Sequence, residues 1–272
     1  FALISRNVAT LRSDDLLRMQ GYLSLSLIAF VLLSLVAFLS VVSLTPIKPL
    51  ALWRMIKGPL ALTASSANLL IALPMLVSNL QEMLPDATGA RDEQATLMRE
   101  ELAPLVSLGY ALPTLGQVAS LLFIPFAAWY VDQSLEPGGT ATMLLRAIPA
   151  SVSGIKAVVR QELLQLGLPI DLLQLVYLNG EWLYRFEKVL SLEGLVVLAV
   201  LVYAAGVGAW RPRPALGLTG LALVLGLGAG LGQGNRVLLS TALQHSYHND
   251  DRLLSLRSTR NGSPPIEVNG PQ

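Results

Sequence analysis

Gly21-Tyr-Leu-Ser-Leu-Ser-Leu-Ile-Ala-Phe-Val-Leu-Leu-Ser-Leu-Val-Ala-Phe-Leu-Ser-Val-Val-Ser-Leu44 is the stretch whose reading decides the fold class. It carries no charge, and roughly 20 apolar residues suffice for a helix to cross a bilayer. Its serines can return their hydroxyls to carbonyls of the preceding turn. The rest of the chain has the same character. Of 272 residues, 53% are hydrophobic and only 14% are charged, with a mean hydropathy of +0.57. A soluble domain usually carries about 25% charged residues. The deficit lies in long apolar runs, which calls for lipid rather than an outsized water-facing core.

Outward from this span, residues 1–20 hold Arg6, Arg12, Asp14, Asp15 and Arg18 and read as an extracytoplasmic loop. The opening Phe1-Ala-Leu-Ile has neither Met nor the charged n-region of a signal peptide, so the chain reads as a fragment with its N-terminal part upstream. On the other side, Thr45-Pro46 stops the helix. Residues 58–81 are long enough to span but are interrupted by Thr63-Ala-Ser-Ser-Ala-Asn68 and bracketed by Pro59 and Pro74. Two readings stand: a span whose polar residues face a neighbouring helix, or a re-entrant hairpin with a polar tip sheltered from lipid. Residues 82–103, with six acidic side chains, read as a solvated loop. A second span, 104–131, is broken by Gly109, Pro113 and Gly116, with Trp129 and Tyr130 placed for an interfacial belt.

Residues 138–170 repeat the interrupted theme around Pro149-Ala-Ser-Val-Ser-Gly154. Their arms hold Arg146, Lys156, Arg160 and Glu162, too many charges for a lipid-facing helix. The stretch 172–209 is apolar apart from Asn179, Glu181, Arg185, Glu187, Lys188 and, further along, Glu193. Charges at membrane depth cost several kcal/mol and face a bundle interior or a watery path; alternatively they sit at an interface and Leu190–Ala209 alone spans. Residues 214–232 form an extra span with a glycine face suited to close helix packing. Residues 233–272 turn polar and read as an extracytoplasmic linker or tail.

The basic loops, Lys48, Arg54 and Lys57 in one and Arg211 and Arg213 in the other, mark the cytoplasmic side. A hairpin followed by a span occurs twice, the inverted-repeat plan of secondary transporters, in which broken helices point to the binding site. The expected fold is thus all-α, polytopic, with two re-entrant hairpins in an inverted repeat, in a cell membrane, multi-pass and of the bacterial inner membrane type.

Several residues resemble the dicarboxylate/amino acid:cation symporter family, the glutamate-transporter homologues. Phe1-Ala-Leu-Ile is similar to the end of that family's fifth helix. Leu62-Thr-Ala-Ser-Ser-Ala-Asn68 with Ala72-Leu-Pro74 resembles its first hairpin, and Pro104-Leu-Val-Ser-Leu-Gly109 the start of its seventh helix. Ala147-Ile-Pro-Ala-Ser-Val-Ser-Gly154 and Gly167-Leu-Pro169 resemble the tip and exit of its second hairpin. The match runs in order over residues 1–205 and leaves the stretch after Trp210 without a counterpart.

The resemblance implies the mobile transport domain of a symporter for a carboxylate-bearing solute, such as a dicarboxylate or acidic amino acid. It implies substrate held between the two tips by Ser65, Ser66, Asn68, Ser151, Ser153 and Gly154, with Thr114 and Arg185 contributing. A homotrimer is also implied. Where the family's seventh helix reads Asn-Met-Asp-Gly-Thr, this chain reads Tyr110-Ala-Leu-Pro-Thr114, and only Thr114 matches. The eighth-helix carboxylates and arginine have as their nearest equivalents Asn179, Glu181 and Arg185, at different spacing. The coupling ion is thereby left as Na+ or H+, with Asn179 and Glu181 (or protonation of Glu187) as candidates.

A rival reading is a transporter-derived receptor or anchor module without cation coupling, and the last span suggests a fused or associated extracytoplasmic solute-binding domain. No cofactor is expected, and a net charge of +1 gives no reason to invoke nucleic acid. The partners expected are the small solute and membrane lipid. The chain has no cysteine. The tip serines have only Lys156 nearby as a base, so an enzyme is not expected. His245, His248, Asp250 and Asp251 read as a solvated tail rather than a metal site.

Overall fold

The computed structural model describes residues 13–90, 93–112, 114–131, 137–151, 154–173, 176 and 180–231. Among them there is no strand. The chain forms α1 (Ser13–Leu44), α2 (Pro49–Ser66), α3 (Leu69–Thr88), α4 (Glu93–Glu100), α5 (Leu102–Ala111), α6 (Leu115–Ser120) and α7 (Phe123–Tyr130). It continues with α8 (Pro137–Ala150), α9 (Ile155–Gln165), a 3-10 turn at Ile170–Leu172 and α10 (Gly180–Gly206). The last described helix is α11 (Pro214–Leu231). Among the described residues, four stretches are long and apolar enough to cross a membrane: Gln20–Leu44, Glu93–Ala128, Gly180–Gly206 and Pro214–Leu231.

Both interrupted segments break into helix pairs. Pro49 starts α2 at the helix position where a missing N–H costs nothing, and Ala67 ends it in the left-handed region at φ 52°. Asn68 then opens α3, its Oδ1 accepting from Leu70 N at 3.0 Å. The pair is longer than the expected 58–81. It begins at Pro49 and α3 carries on through Thr88, where Gly89 at φ 74° closes it. Leu69, Ala72, Leu76, Leu80 and Leu84 are all buried on one face of α3. That spacing of three and four residues is a helix stripe, and it runs straight across the expected helix end.

Pro59 lies inside α2 and has no N–H for the carbonyl of Met55. Asn79 of α3 supplies the missing donor, its Nδ2 lying 2.7 Å from Met55 O. The break in one helix is thereby the bolt that fixes its partner. The expected solvated loop 82–103 is corrected too: most of it is helix. In α4, Ala95 is buried, Gln94 Nε2 donates to Gly206 O at 2.7 Å, and Met98 packs against Gly206. The acidic side chains face outward while the small and apolar ones bind this helix to the end of α10.

The segment 104–131 is broken, at Leu112 and Thr114 and again at Leu121–Leu122. Glu181, Arg185, Glu187 and Lys188 occupy the first turns of one uninterrupted α10, whose later turns bury one face that includes Leu192, Val196, Val200 and Tyr203. Two apolar cores flank α10. One joins it to α2, α3 and α5 and the end of α1, and the other gathers α7–α9 around Tyr22. In α11 the glycine face is divided. Gly217, Gly220 and Gly228 approach Ser43, Leu39 and Leu32 of α1, whereas Gly226 and Gly230 meet nothing within 4 Å. Gly232 and the expected tail lie outside the described residues, as do Trp129 and Tyr130 as side chains.

Candidate functional site

The first tip sits against the charged turns of α10. The last carbonyls of a helix lack internal partners, and those of Ala64 and Ser65 accept from Arg185 Nη1 at 2.7 and 2.9 Å. The guanidinium also donates from Nε and Nη2 to Glu181 Oε1, at 3.0 and 2.7 Å. A cation at a helix C-terminus meets the negative end of its dipole. Four of the guanidinium's five N–H groups are therefore engaged, and a ligand carboxylate would have to replace Glu181, whose side chain is 70% exposed.

Beside this contact lies an open depression of about 570 Å³, walled by Ser66, Asn68, Tyr110, Tyr184, Arg185 and Lys188. Ser65 Oγ and Ser66 Oγ donate back to Leu62 O at 3.0 and 2.7 Å, and Ser66 Oγ accepts from Asn68 N at 3.2 Å. The tip hydroxyls thus shape the turn first. What they leave facing the depression is the start of the 20-residue α3, where helix amides favour an anion. Lys188 adds positive charge; its Nζ lies 2.9 Å from Glu187 and 4.7 Å from the Tyr184 ring centre.

Thr114 caps α6, accepting from Gln117 N at 3.4 Å while its own N–H bonds Gln117 Oε1 at 3.0 Å. Its hydroxyl lies 2.7 Å from Ser191 Oγ on α10. Two residues on, Gly116 lets α6 touch α10: a Cβ there would come within 1.9 Å of Glu187 O. Ser120 Oγ reaches Glu187 Oε2 at 3.4 Å. A second cavity of about 390 Å³ opens at this seam among Tyr22, Phe30, Ser120, Lys156 and Glu187. Glu181 and Tyr184 line both cavities.

Of the residues expected to hold substrate, Ser66, Asn68 and Arg185 wall one depression, and Ser65 contributes its carbonyl to Arg185. The second tip is different. Ser151 is fully buried with its hydroxyl on Ile148 O at 2.6 Å. Gly154 turns the chain at φ 120° and donates to Ser151 O at 3.0 Å. Neither is among the described residues lining the two cavities. Ser153 and Asn179 lie outside the described residues. Sequence reasoning named Glu187 and Lys188 as charges but passed over Tyr110, Tyr184, Ser120 and Ser191. Aromatic and hydroxyl side chains in an apolar run carry no signal of the neighbour they will meet. Among the described residues no three acidic or histidine side chains cluster as a metal site would require.

No protein-family model, characterised protein or solved structure matches the chain. What the fold itself defines is an all-α protein with four helical stretches long and apolar enough to cross a membrane.

Proposed function

We propose that this chain is the transport-domain part of a multi-pass secondary transporter in a bacterial inner membrane, moving a carboxylate-bearing solute such as a dicarboxylate or acidic amino acid. The observation that carries the reading is the contact of Arg185 with the broken tip at Ala64 and Ser65. An arginine on a span-length helix, fixed to a helix break beside an open depression, is the kind of group that recognises a carboxylate. Broken helices in transporters place their termini at the solute in this way.

In this reading the solute carboxylate exchanges with Glu181 on the guanidinium, and the start of α3 and Lys188 complete its neutralisation. The displaced Glu181 then takes up the coupling cation, Na+ or H+. The two helix pairs act as re-entrant hairpins of an inverted repeat, and the whole protein forms a homotrimer. Uptake of labelled glutamate, aspartate and C4 dicarboxylates into vesicles by the full-length protein tests this. Accumulation driven by an imposed sodium or proton gradient is the expected result.

The second reading is a receptor or anchor module derived from such a transporter, working with an extracytoplasmic solute-binding domain. It is favoured by the prior engagement of Arg185 with Glu181. Solute binding without any uptake would select it.

A further inference from the structure

Two basic segments far apart in sequence meet at one end of the molecule. The backbone N–H of Arg211 donates to Leu44 O at 3.0 Å, and that of Arg213 donates to Ser43 O at 2.7 Å. These bonds satisfy the C-terminal carbonyls of α1 and place the loop before α11 directly on them. The packing of Gly217 and Gly220 on Ser43 and Leu39 continues the same junction into α11.

Lys48 follows Leu44 by four residues, which holds it within about 14 Å of the junction. Arg54 and Lys57 come within the next roughly 14 Å of α2, at about 1.5 Å per residue. Lys48, Arg54, Lys57, Arg211 and Arg213 are all exposed. Among the described residues none of the five forms a salt bridge. Two large aromatic side chains stand exposed beside them, Trp53 at 50% and Trp210 at 45%, with Leu50 at 60%. Tryptophan and basic residues together mark the headgroup level of a bilayer, where the ring lies among glycerol groups and the cation meets phosphate.

We propose that the junction of α1, the start of α2 and the start of α11 is a binding site for an anionic phospholipid. Its phosphate is held by Lys48, Arg211 and Arg213, and its acyl chains lie along the exposed leucines of α11. Water-soluble anions do not fit this surface equally well, because Leu50, Trp53 and Trp210 would stay wet around a free phosphate. The site belongs to α11, since without its docking on α1 the two basic segments have no reason to meet. It depends on the membrane reading alone and not on transport.

The test uses the purified full chain in a non-ionic detergent, titrated with dioleoyl-phosphatidylglycerol or dioleoyl-phosphatidylcholine, with retained lipid counted by native mass spectrometry. Each basic residue near a lipid surface contributes about fivefold in affinity, so phosphatidylglycerol should be retained at least about tenfold more strongly. The preference should vanish in the Lys48→Gln/Arg211→Gln/Arg213→Gln variant and persist in Arg211→Lys/Arg213→Lys. Inorganic phosphate added at constant ionic strength should not displace the lipid, and raising the salt concentration should erode the preference in the unaltered chain. Equal retention of the two lipids would overturn the proposal. So would a preference that resists salt, survives in the triple glutamine variant, or yields to inorganic phosphate at constant ionic strength.

Discussion

The two helix pairs, α2–α3 and α8–α9, share an outline and differ in what holds them. In the first pair the arms are joined by a neutral amide, Asn79 on Met55 O, and the tip is held from outside by Arg185 of α10. In the second the arms are joined by a charged pair. Arg146 Nε donates to Glu162 Oε1 at 2.9 Å, with a closer Nη2–Oε2 contact, and the Glu162 side chain is only 3% exposed. Its tip serine is buried in its own turn. Both tips thus keep their serine hydroxyls on their own turns, but the carbonyls of the first tip are held by another element. That difference is why the candidate site lies at the first tip.

The largest expected effect comes from breaking the second pair's tie. Arg146→Ala takes the half-exposed guanidinium away from a carboxylate that is only 3% exposed, and thermal unfolding of the purified protein should show a clear loss of stability. The double variant Arg146→Met/Glu162→Leu should recover most of the loss, since it removes the buried carboxylate together with its partner. If the double variant is as unstable as Arg146→Ala, the tie is not the source of the instability.

The seam between the pairs is next. Gly116→Ala would drive a methyl group into Glu187 O, and overpacking of this kind typically costs about 1–3 kcal/mol. A wild-type melting temperature would mean that α6 and α10 do not touch there. The first pair's bolt should be of similar weight. Asn79→Leu strands the Met55 carbonyl beside Pro59, and an orphaned buried acceptor costs about 1–3 kcal/mol. The comparison sharpens if Asn79→Leu loosens α2 and α3 alone in hydrogen exchange while protection in α8 and α9 is unchanged.

The smallest effect belongs to Glu181→Gln. Removing the carboxylate that competes for Arg185 should tighten binding of a carboxylate solute, by only about twofold, because exposed helical ion pairs are worth about 0.3–0.5 kcal/mol. Weakened binding in calorimetry would instead give Glu181 a direct part in holding the solute.

Much of this was readable from residues alone. The uncharged run from Gly21 to Leu44 could only be a long apolar helix. Ala67-Asn68 and Ser151 to Gly154 announced breaks, because the polar and small residues there favour turns over helix interiors. The helix over residues 93–100 went unseen because its acidic residues dominate the composition, and the short stripe of Ala95 and Met98 matters only once α10 lies beneath it. The contact of Arg185 with the first tip spans about 120 positions. Nothing in local pattern encodes such a partner; it follows from how α2 packs on α10. The same holds for Arg211 and Leu44, whose pairing is made by the docking of α11.

The first tip as the solute site can be tested most directly with a single cysteine, since these 272 residues hold none and any elsewhere in the full-length protein can be replaced by serine. Ser66→Cys in the full-length protein would be labelled with a membrane-impermeant maleimide in the presence and absence of glutamate, aspartate or a C4 dicarboxylate. Labelling should slow at least several-fold with the carboxylate solute that is transported or bound, and should not respond to its uncharged amide. An unchanged rate under a saturating solute would place the binding site elsewhere.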